Sequence, residues 1–405
     1  MGIKKAVLHL GMPKAGSSSI QHTFFSNSAI LKKNGFRYLD EWGDNHLYNF
    51  LHFFSPDYVT NNAINYREPV TKKKLRKTTK KMANEILRVI NSTECETLVL
   101  SGECLNVFRE NSAIDNLKEF INCNFKSNNI EVSIILLVRN PLPWAISQLQ
   151  QQFFKGRYLR NIDFFDDAVE MYEAIANLQK KFSDSLILLK FEDACLDIDG
   201  LVGCFLKTIG YPKEELKNIT IIRKNESRCM ETMEFLYFIE TIEPLYPYAH
   251  YRHHNPNRFL GDLTCIKDIK GVSFDLPYQC KVELWNRIQK AVLFLKAEVG
   301  IDYTDYKIPF PNQETYSEQT IQKFIDIFPK LSPILQKHFL KFFEKKYMET
   351  AQIKFKKLYF EGSIPWKTYN KKIIIFSLAS WRVKKMLRKI GLLRRIKEHF
   401  TKNLK

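Results

Sequence analysis

The apolar run Ala6-Val7-Leu8-His9-Leu10 leads directly into Gly11-Met12-Pro13-Lys14-Ala15-Gly16-Ser17-Ser18-Ser19, and no other stretch constrains the fold as strongly. A short strand, a glycine-bounded turn and a helix with hydroxyls in its first turn form a cradle for an anion. Gly11 and Gly16 let the backbone bend and approach the charge closely. The N–H groups of residues 14–19 then point at it, and the helix dipole favours it. The position of the lysine narrows the chemistry. A loop that grips a nucleoside triphosphate reads GxxxxGK[ST], with lysine after the second glycine and a hydroxyl beside it for Mg²⁺. Here Lys14 lies inside the loop, and Ser17 stands where that lysine belongs. Such a loop can hold a phosphate and set one cation at its bridging oxygen without the residue pair that positions a metal.

The front half alternates strands and helices. Strands are expected at about 4–10, 96–101, 131–138 and 186–191. Helices are expected at about 17–33, 44–54, 72–91, 113–124, 141–153 and 164–182, with a further one ending near 208. Strands of continuous apolar character between helices imply a parallel sheet covered on both faces. Ligands bind such sheets at the carboxyl ends of the strands, and Lys14, Glu103 and Arg139 each lie just past one. A helix at about 279–298 closes the domain, and Pro309 and Pro311 mark a boundary. The expected architecture is α/β: a P-loop-type parallel sheet flanked by helices over 1–305, then a basic helical extension over 306–405.

A second segment points to the same chemistry. The strand Ser133–Val138 ends in Arg139-Asn140-Pro141, with Ser147 eight residues after the arginine. Arginine can grip a phosphate bidentately, and Pro141 suits the first position of a helix that carries Ser147 beside the same anion. Together with "LHLGMPKAGSSSIQ" and Leu188-Leu189-Lys190-Phe191-Glu192-Asp193, this segment resembles the sulfotransferases that use 3′-phosphoadenosine 5′-phosphosulfate (PAPS), over roughly residues 4–230. The resemblance implies a loop for the 5′-phosphosulfate formed by Lys14, Ala15, Gly16, Ser17, Ser18 and Ser19. It also implies that Arg139 and Ser147 hold the 3′-phosphate, and that PAPS is the co-substrate with no metal required. The family often has threonines at the positions of Ser18 and Ser19, and a tryptophan where this chain has Ile20, so adenine stacking must come from elsewhere. Asn225-Glu226-Ser227-Arg228 is similar to an N-x-S segment of bacterial members, in which Asn225 and Ser227 touch the cofactor phosphates or cap a helix. The RKG signature of hormone- and phenol-type enzymes is absent.

Sulfuryl transfer needs a held donor, a cation on the leaving oxygen and a base on the acceptor hydroxyl. Lys14 fits the second role, because charge builds on the bridging oxygen as the bond breaks. For the base, Glu103 in Leu98–Glu103 resembles the strand-end acid of carbohydrate and bacterial members. The alternatives are that Glu103 pairs with Lys14 or caps a helix, and that His46 is the base. His9 is expected to be a packed core residue.

The net charge of +18 is uneven. Residues 366–405 hold 13 Lys/Arg against Glu398 alone, which leaves 49 basic and 43 acidic residues in the first 365. Apolar positions from Phe376 to Phe400 recur every three or four residues, with Arg382, Lys385, Arg388 and Lys389 between them. That pattern suits either an anionic leaflet or packing onto the domain. Eight cysteines without a CxxC pair, and a first strand beginning near residue 4, lead to the expectation of a cytoplasmic protein, with the basic helix as the part that would make it peripheral on the inner face of the cytoplasmic membrane. The cluster Tyr248, His250, Tyr251, Arg252, His253, His254 and Arg258 suits the rim of an anionic sugar site better than a metal. No nucleic-acid module is recognisable. The family resemblance, the absent RKG signature and the aromatic-basic rim together imply a glycan or glycolipid acceptor. The alternatives are a P-loop kinase or NTPase, and a non-catalytic glycan- or membrane-binding protein.

Overall fold

A computed structural model of the chain describes residues 2–61, 70–154, 166–224, 227–242, 263–266, 269–310, 318–331, 335, 336 and 342. Asn225, the His250/His253/His254 cluster and the basic helix at 373–400 lie outside the described residues. In chain order the elements are β1 Lys5–Leu10, α1 Ser17–Ser26, α2 Ser28–Lys33, β2 Phe36–Tyr38, α3 Leu47–Phe54, α4 Pro56–Asn61, α5 Lys72–Ser92, β3 Thr97–Gly102 and α6 Asn111–Asn124. They continue as β4 Glu131–Val138, α7 Pro141–Phe154, α8 Asp166–Phe182, β5 Leu186–Lys190, α9 Phe191–Leu196 and α10 Gly200–Thr208. The last are α11 Met230–Ile242, α12 Leu263–Ile266, α13 Tyr278–Phe294 and α14 Glu318–Ile327.

The five strands form one parallel sheet in the order β2-β3-β1-β4-β5. β1 lies at its centre, with Lys5 to Leu10 matched to Thr97 to Gly102 on one side and Lys5 to His9 matched to Glu131 to Ile135 on the other. Every residue of β3, and of β4 from Val132 on, is buried, as a sheet covered on both faces requires. The order fixes where a ligand fits. The connection leaving β1 runs towards β2, while the one leaving β4 runs towards β5, so the sheet has its switch point between β1 and β4. A crevice opens there at the carboxyl ends. The Gly11–Gly16 turn leaves one of those strands and Arg139 the other.

Several elements differ from the sequence expectation. The helix expected over 17–33 is two helices that meet at Asn27, whose φ of −107° and ψ of 18° leave the helical region. β2 was not expected: three residues on a sheet edge give no readable period. Phe191 opens a helix where it was expected to end a strand, and Asp197–Asp199 separate α9 from α10.

The chain groups into two compact units. One holds Met1–Gln151, Asn161–Arg228 and Ser273–Asn312, and therefore the whole sheet and α13. The other holds Gln152–Arg160, Cys229–Val272 and Gln313–Lys405. In the second unit Phe235 packs edge-on against Phe324 and Phe342, with ring centroids 6.0 and 5.4 Å apart.

Candidate active site

The turn after β1 has the backbone of an anion cradle. Lys14 takes φ 66° and Gly16 φ 80°, the alternation that turns successive N–H groups into one concavity. A Cβ on Gly11 would lie 2.4 Å from Ser17 Oγ and 2.9 Å from Ser17 Cβ, and Gly16 takes a φ that a side chain rarely adopts, so both positions favour glycine. Lys14 has no such excuse. A β-carbon in the left-handed region costs about 1–2 kcal/mol, and observed strain of this kind concentrates at functional sites.

The β4–α7 junction reaches across and holds this turn. The Arg139 guanidinium donates to the Lys14 carbonyl, and the Trp144 indole N–H donates to the Pro13 carbonyl at 3.1 Å. The Pro13 and Lys14 carbonyls of the turn are thereby occupied, while its Ala15 and Ser19 N–H groups donate within the turn to the Met12 and Gly16 carbonyls at 3.2 and 3.0 Å. The junction is itself braced. Asn140 caps α7 through its Oδ1, which accepts from Leu142 N–H at 2.9 Å, and Pro141 takes the first helical position as expected. Asn140 N–H donates to Glu192 at 3.0 Å, and the Tyr303 hydroxyl donates to the other Glu192 oxygen at 2.9 Å. Phe191 lies under Arg139, whose guanidinium carbon stands 4.8 Å from the ring centroid. Phe191 and Glu192 of the Phe-Glu-Asp triplet therefore brace the arginine and its neighbour. Burial pulls the Arg139 pKa down, with Glu192 opposing. Arg139 Nε and Asn140 Nδ2 are both buried without a hydrogen-bond partner.

Arg139, Ser147 and Ser227 line one cavity of about 160 Å³. Pro143, Ile146, Ser147 and Gln150 contribute one face of α7 to it. A volume of this size takes up one benzene-sized group, so it suits a single phosphate rather than a whole nucleotide. Its far wall is locked in place, since the Arg228 carbonyl accepts from Gln150 Nε2 at 3.2 Å and from Phe274 N–H at 2.8 Å.

The three serines of the turn differ. Ser17 is buried and donates to the Met12 carbonyl at 3.3 Å, and Ser18 is half-buried in the first turn of α1. The Ser19 hydroxyl accepts from Lys224 N–H at 3.0 Å and donates to the Lys224 carbonyl at 3.3 Å. It is the first rung of a ladder. Thr23 Oγ1 accepts from Ile222 N–H at 3.0 Å, and Asn27 accepts from Thr220 N–H at 3.0 Å while donating to its carbonyl at 2.9 Å. Four helical residues rise about 6.0 Å and two extended residues about 6.6 Å. Every fourth side chain of the helix can therefore stand in for a neighbouring strand. The ladder straps 220–224 along α1, just before Ser227.

Glu103 directly follows β3, and its Cα would lie 3.3 Å from a Cβ on Gly11; the acid therefore stands beside the turn. His46 is fully buried. Its Nδ1 accepts from Ser101 N–H at 3.0 Å, and its ring stacks on Tyr38 at 4.7 Å and meets Trp42 edge-on at 5.6 Å. Burial lowers its pKa to about 4, so the imidazole is neutral at neutral pH, and its Nε2 is buried without a hydrogen-bond partner. His9 is core, as expected: its Nδ1 is 2.7 Å from Ser101 Oγ, and burial lowers its pKa to about 3.

Sequence reasoning passed over Trp144, Tyr303 and Lys281. An indole in the first turn of a helix that starts at the site was a readable signal, because a buried indole N–H needs an acceptor. Lys281 lies 142 residues from Arg139, and nothing local marks it. Among the described residues no helix is long and apolar enough to cross a membrane, and no group of three or more His, Cys, Asp or Glu could hold a metal ion.

No protein-family model matches the chain, and no curated protein sequence matches it. Among solved structures it is similar to the crystal structure of a sulfotransferase from Alicyclobacillus acidocaldarius. The identity is 12% and the TM-score 0.33, over 58% of this chain and 90% of that one. The α/β class itself stands on the strand order and register.

Proposed function

We propose that the chain transfers a sulfuryl group from PAPS to a hydroxyl of a glycan, a cell-surface polysaccharide or its lipid-linked precursor. The observation that carries this reading is the hydrogen bond from Arg139 to the Lys14 carbonyl, which joins the two anion-holding turns at the sheet's switch point. The residues fit the donor at both ends. The turn of Lys14 to Ser19, with its left-handed backbone at Lys14 and Gly16, would receive the 5′-phosphosulfate, and the cavity of Arg139, Ser147 and Ser227 one further phosphate.

The donor supplies an activated sulfuryl group. The bond from sulfur to the bridging phosphate oxygen breaks as the bond from sulfur to the acceptor oxygen forms. The electron pair stays on the phosphate, where the Lys14 ammonium stabilises it more in the transition state than before it. Glu103, beside the turn, takes the acceptor proton. The basic amphipathic helix expected from the sequence at about 373–400 would hold the enzyme on an anionic leaflet close to a membrane-bound acceptor.

The test is transfer of labelled sulfate from PAPS to a panel of desulfated glycans, in EDTA. Lys14→Ala is expected to lower turnover by about 10²–10³-fold, the size of effect seen when one preorganised charge-stabilising donor is removed. Full activity in that variant would remove the mechanism.

A further inference from the structure

Lys281, on α13, is 1% exposed, and lysine is almost never buried so deeply unless paired. Its ammonium lies 2.6 Å from Asp275 and donates to the Pro309 carbonyl. Two of its three N–H donors are thereby used. Replacing such a buried ion pair by apolar side chains is often neutral or stabilising, so the pair has no strong justification from stability. Its location supplies another. Lys281 and Asp275 line the same cavity as Arg139, Ser147 and Ser227.

Arg139 alone is a poor match for the charge of a phosphate, and Lys281 is the second cation of the cavity, its charge offset by Asp275 until a ligand competes for it. A phosphate monoester carries about −1.5 to −2 at neutral pH, whereas Arg139 supplies a single positive charge, itself shared with the Lys14 carbonyl. We propose that Lys281 is a specificity-determining residue of this cavity, the second cation that distinguishes a nucleotide bearing a 3′-phosphate from one without it. This rests on the nucleotide reading given above. In this role Asp275 holds the ammonium in place before the ligand arrives and competes with the ligand afterwards. The two partners therefore act on the incoming anion with opposite sign.

That opposition provides the test. Calorimetry compares adenosine 3′,5′-bisphosphate with adenosine 5′-monophosphate on the full chain, on Lys281→Met and on Asp275→Asn. The wild type is expected to prefer the bisphosphate. Lys281→Met should weaken bisphosphate binding by about 10-fold, the scale of one charge-assisted hydrogen bond, and leave the monophosphate unchanged. Asp275→Asn should bind the bisphosphate more tightly than the wild type does. If Lys281→Met weakens both nucleotides equally or neither, or if Asp275→Asn weakens the bisphosphate, the lysine is structural and the proposal falls while the nucleotide reading stands. A wild type that shows no preference for the bisphosphate overturns both.

Discussion

Lys14 holds a left-handed backbone conformation, φ 66°, that a glycine would adopt at no cost, while its ammonium is the group assigned to the leaving oxygen. Stability and activity should therefore separate at this position. Lys14→Gly and Lys14→Ala both remove the charge and should be equally inactive. Lys14→Gly should nonetheless unfold later than Lys14→Ala, by about 1 kcal/mol, because only alanine keeps the β-carbon that disfavours φ > 0. Chemical denaturation of the two variants checks this. His46 gives a second effect at the same scale. The unfolded imidazole takes a proton near pH 6.5, but burial holds the folded one to about pH 4. Between those values the unfolded chain binds more protons, so stability is complete above pH 6.5 and falls as the pH drops towards 4. The loss is of order 3 kcal/mol. His9, lowered to about 3 by the same cause, adds to the slope in that window. Denaturation midpoints should therefore fall there more steeply than His46 alone requires, and a His46→Gln variant should show a flatter slope by the share of His46.

At the scale of elements, the ladder from Ser19, Thr23 and Asn27 to residues 220–224 couples the helix behind the turn to the segment entering Ser227. Thr23 is the central rung and is buried. Thr23→Val removes the acceptor for Ile222 N–H and should cost about 1–2 kcal/mol. Amide hydrogen exchange should accelerate at Ile222 and Lys224, while β1 stays protected. This ladder also shows what the sequence could not express. The strands were legible because Val7–Leu10, Leu98–Leu100 and Ile134–Val138 are apolar runs that only a two-faced sheet can bury. The hydroxyl of Ser19 was read as a phosphate ligand from its place in the turn, and nothing near it names Lys224, 205 residues away. Asn27 breaks the first helix because its amide serves Thr23 and Thr220 together, a choice that local propensity does not record. Lys281 is the same case at the cavity: a lysine on an ordinary helical pattern, made special only by what the fold sets opposite it.

At the scale of the molecule, the sheet order accounts for the site. Strands β1 and β4 are neighbours whose outgoing connections diverge, and the two turns that leave them are joined through Arg139 and Trp144. A ligand that spans both turns adds its binding energy to the stability of the folded chain alone, by about 2.7 kcal/mol at a hundredfold excess over its dissociation constant. The lysine of a triphosphate loop is replaced by Ser17, and Lys14 lies inside the turn instead, so the stabilisation is expected from the bisphosphate without a divalent cation. Thermal unfolding of the full chain in EDTA, with and without adenosine 3′,5′-bisphosphate, tests this joint grip most directly. A rise in the midpoint with the bisphosphate and none with ATP and Mg²⁺ is expected. No rise with the bisphosphate, together with a rise for ATP and Mg²⁺, would contradict it.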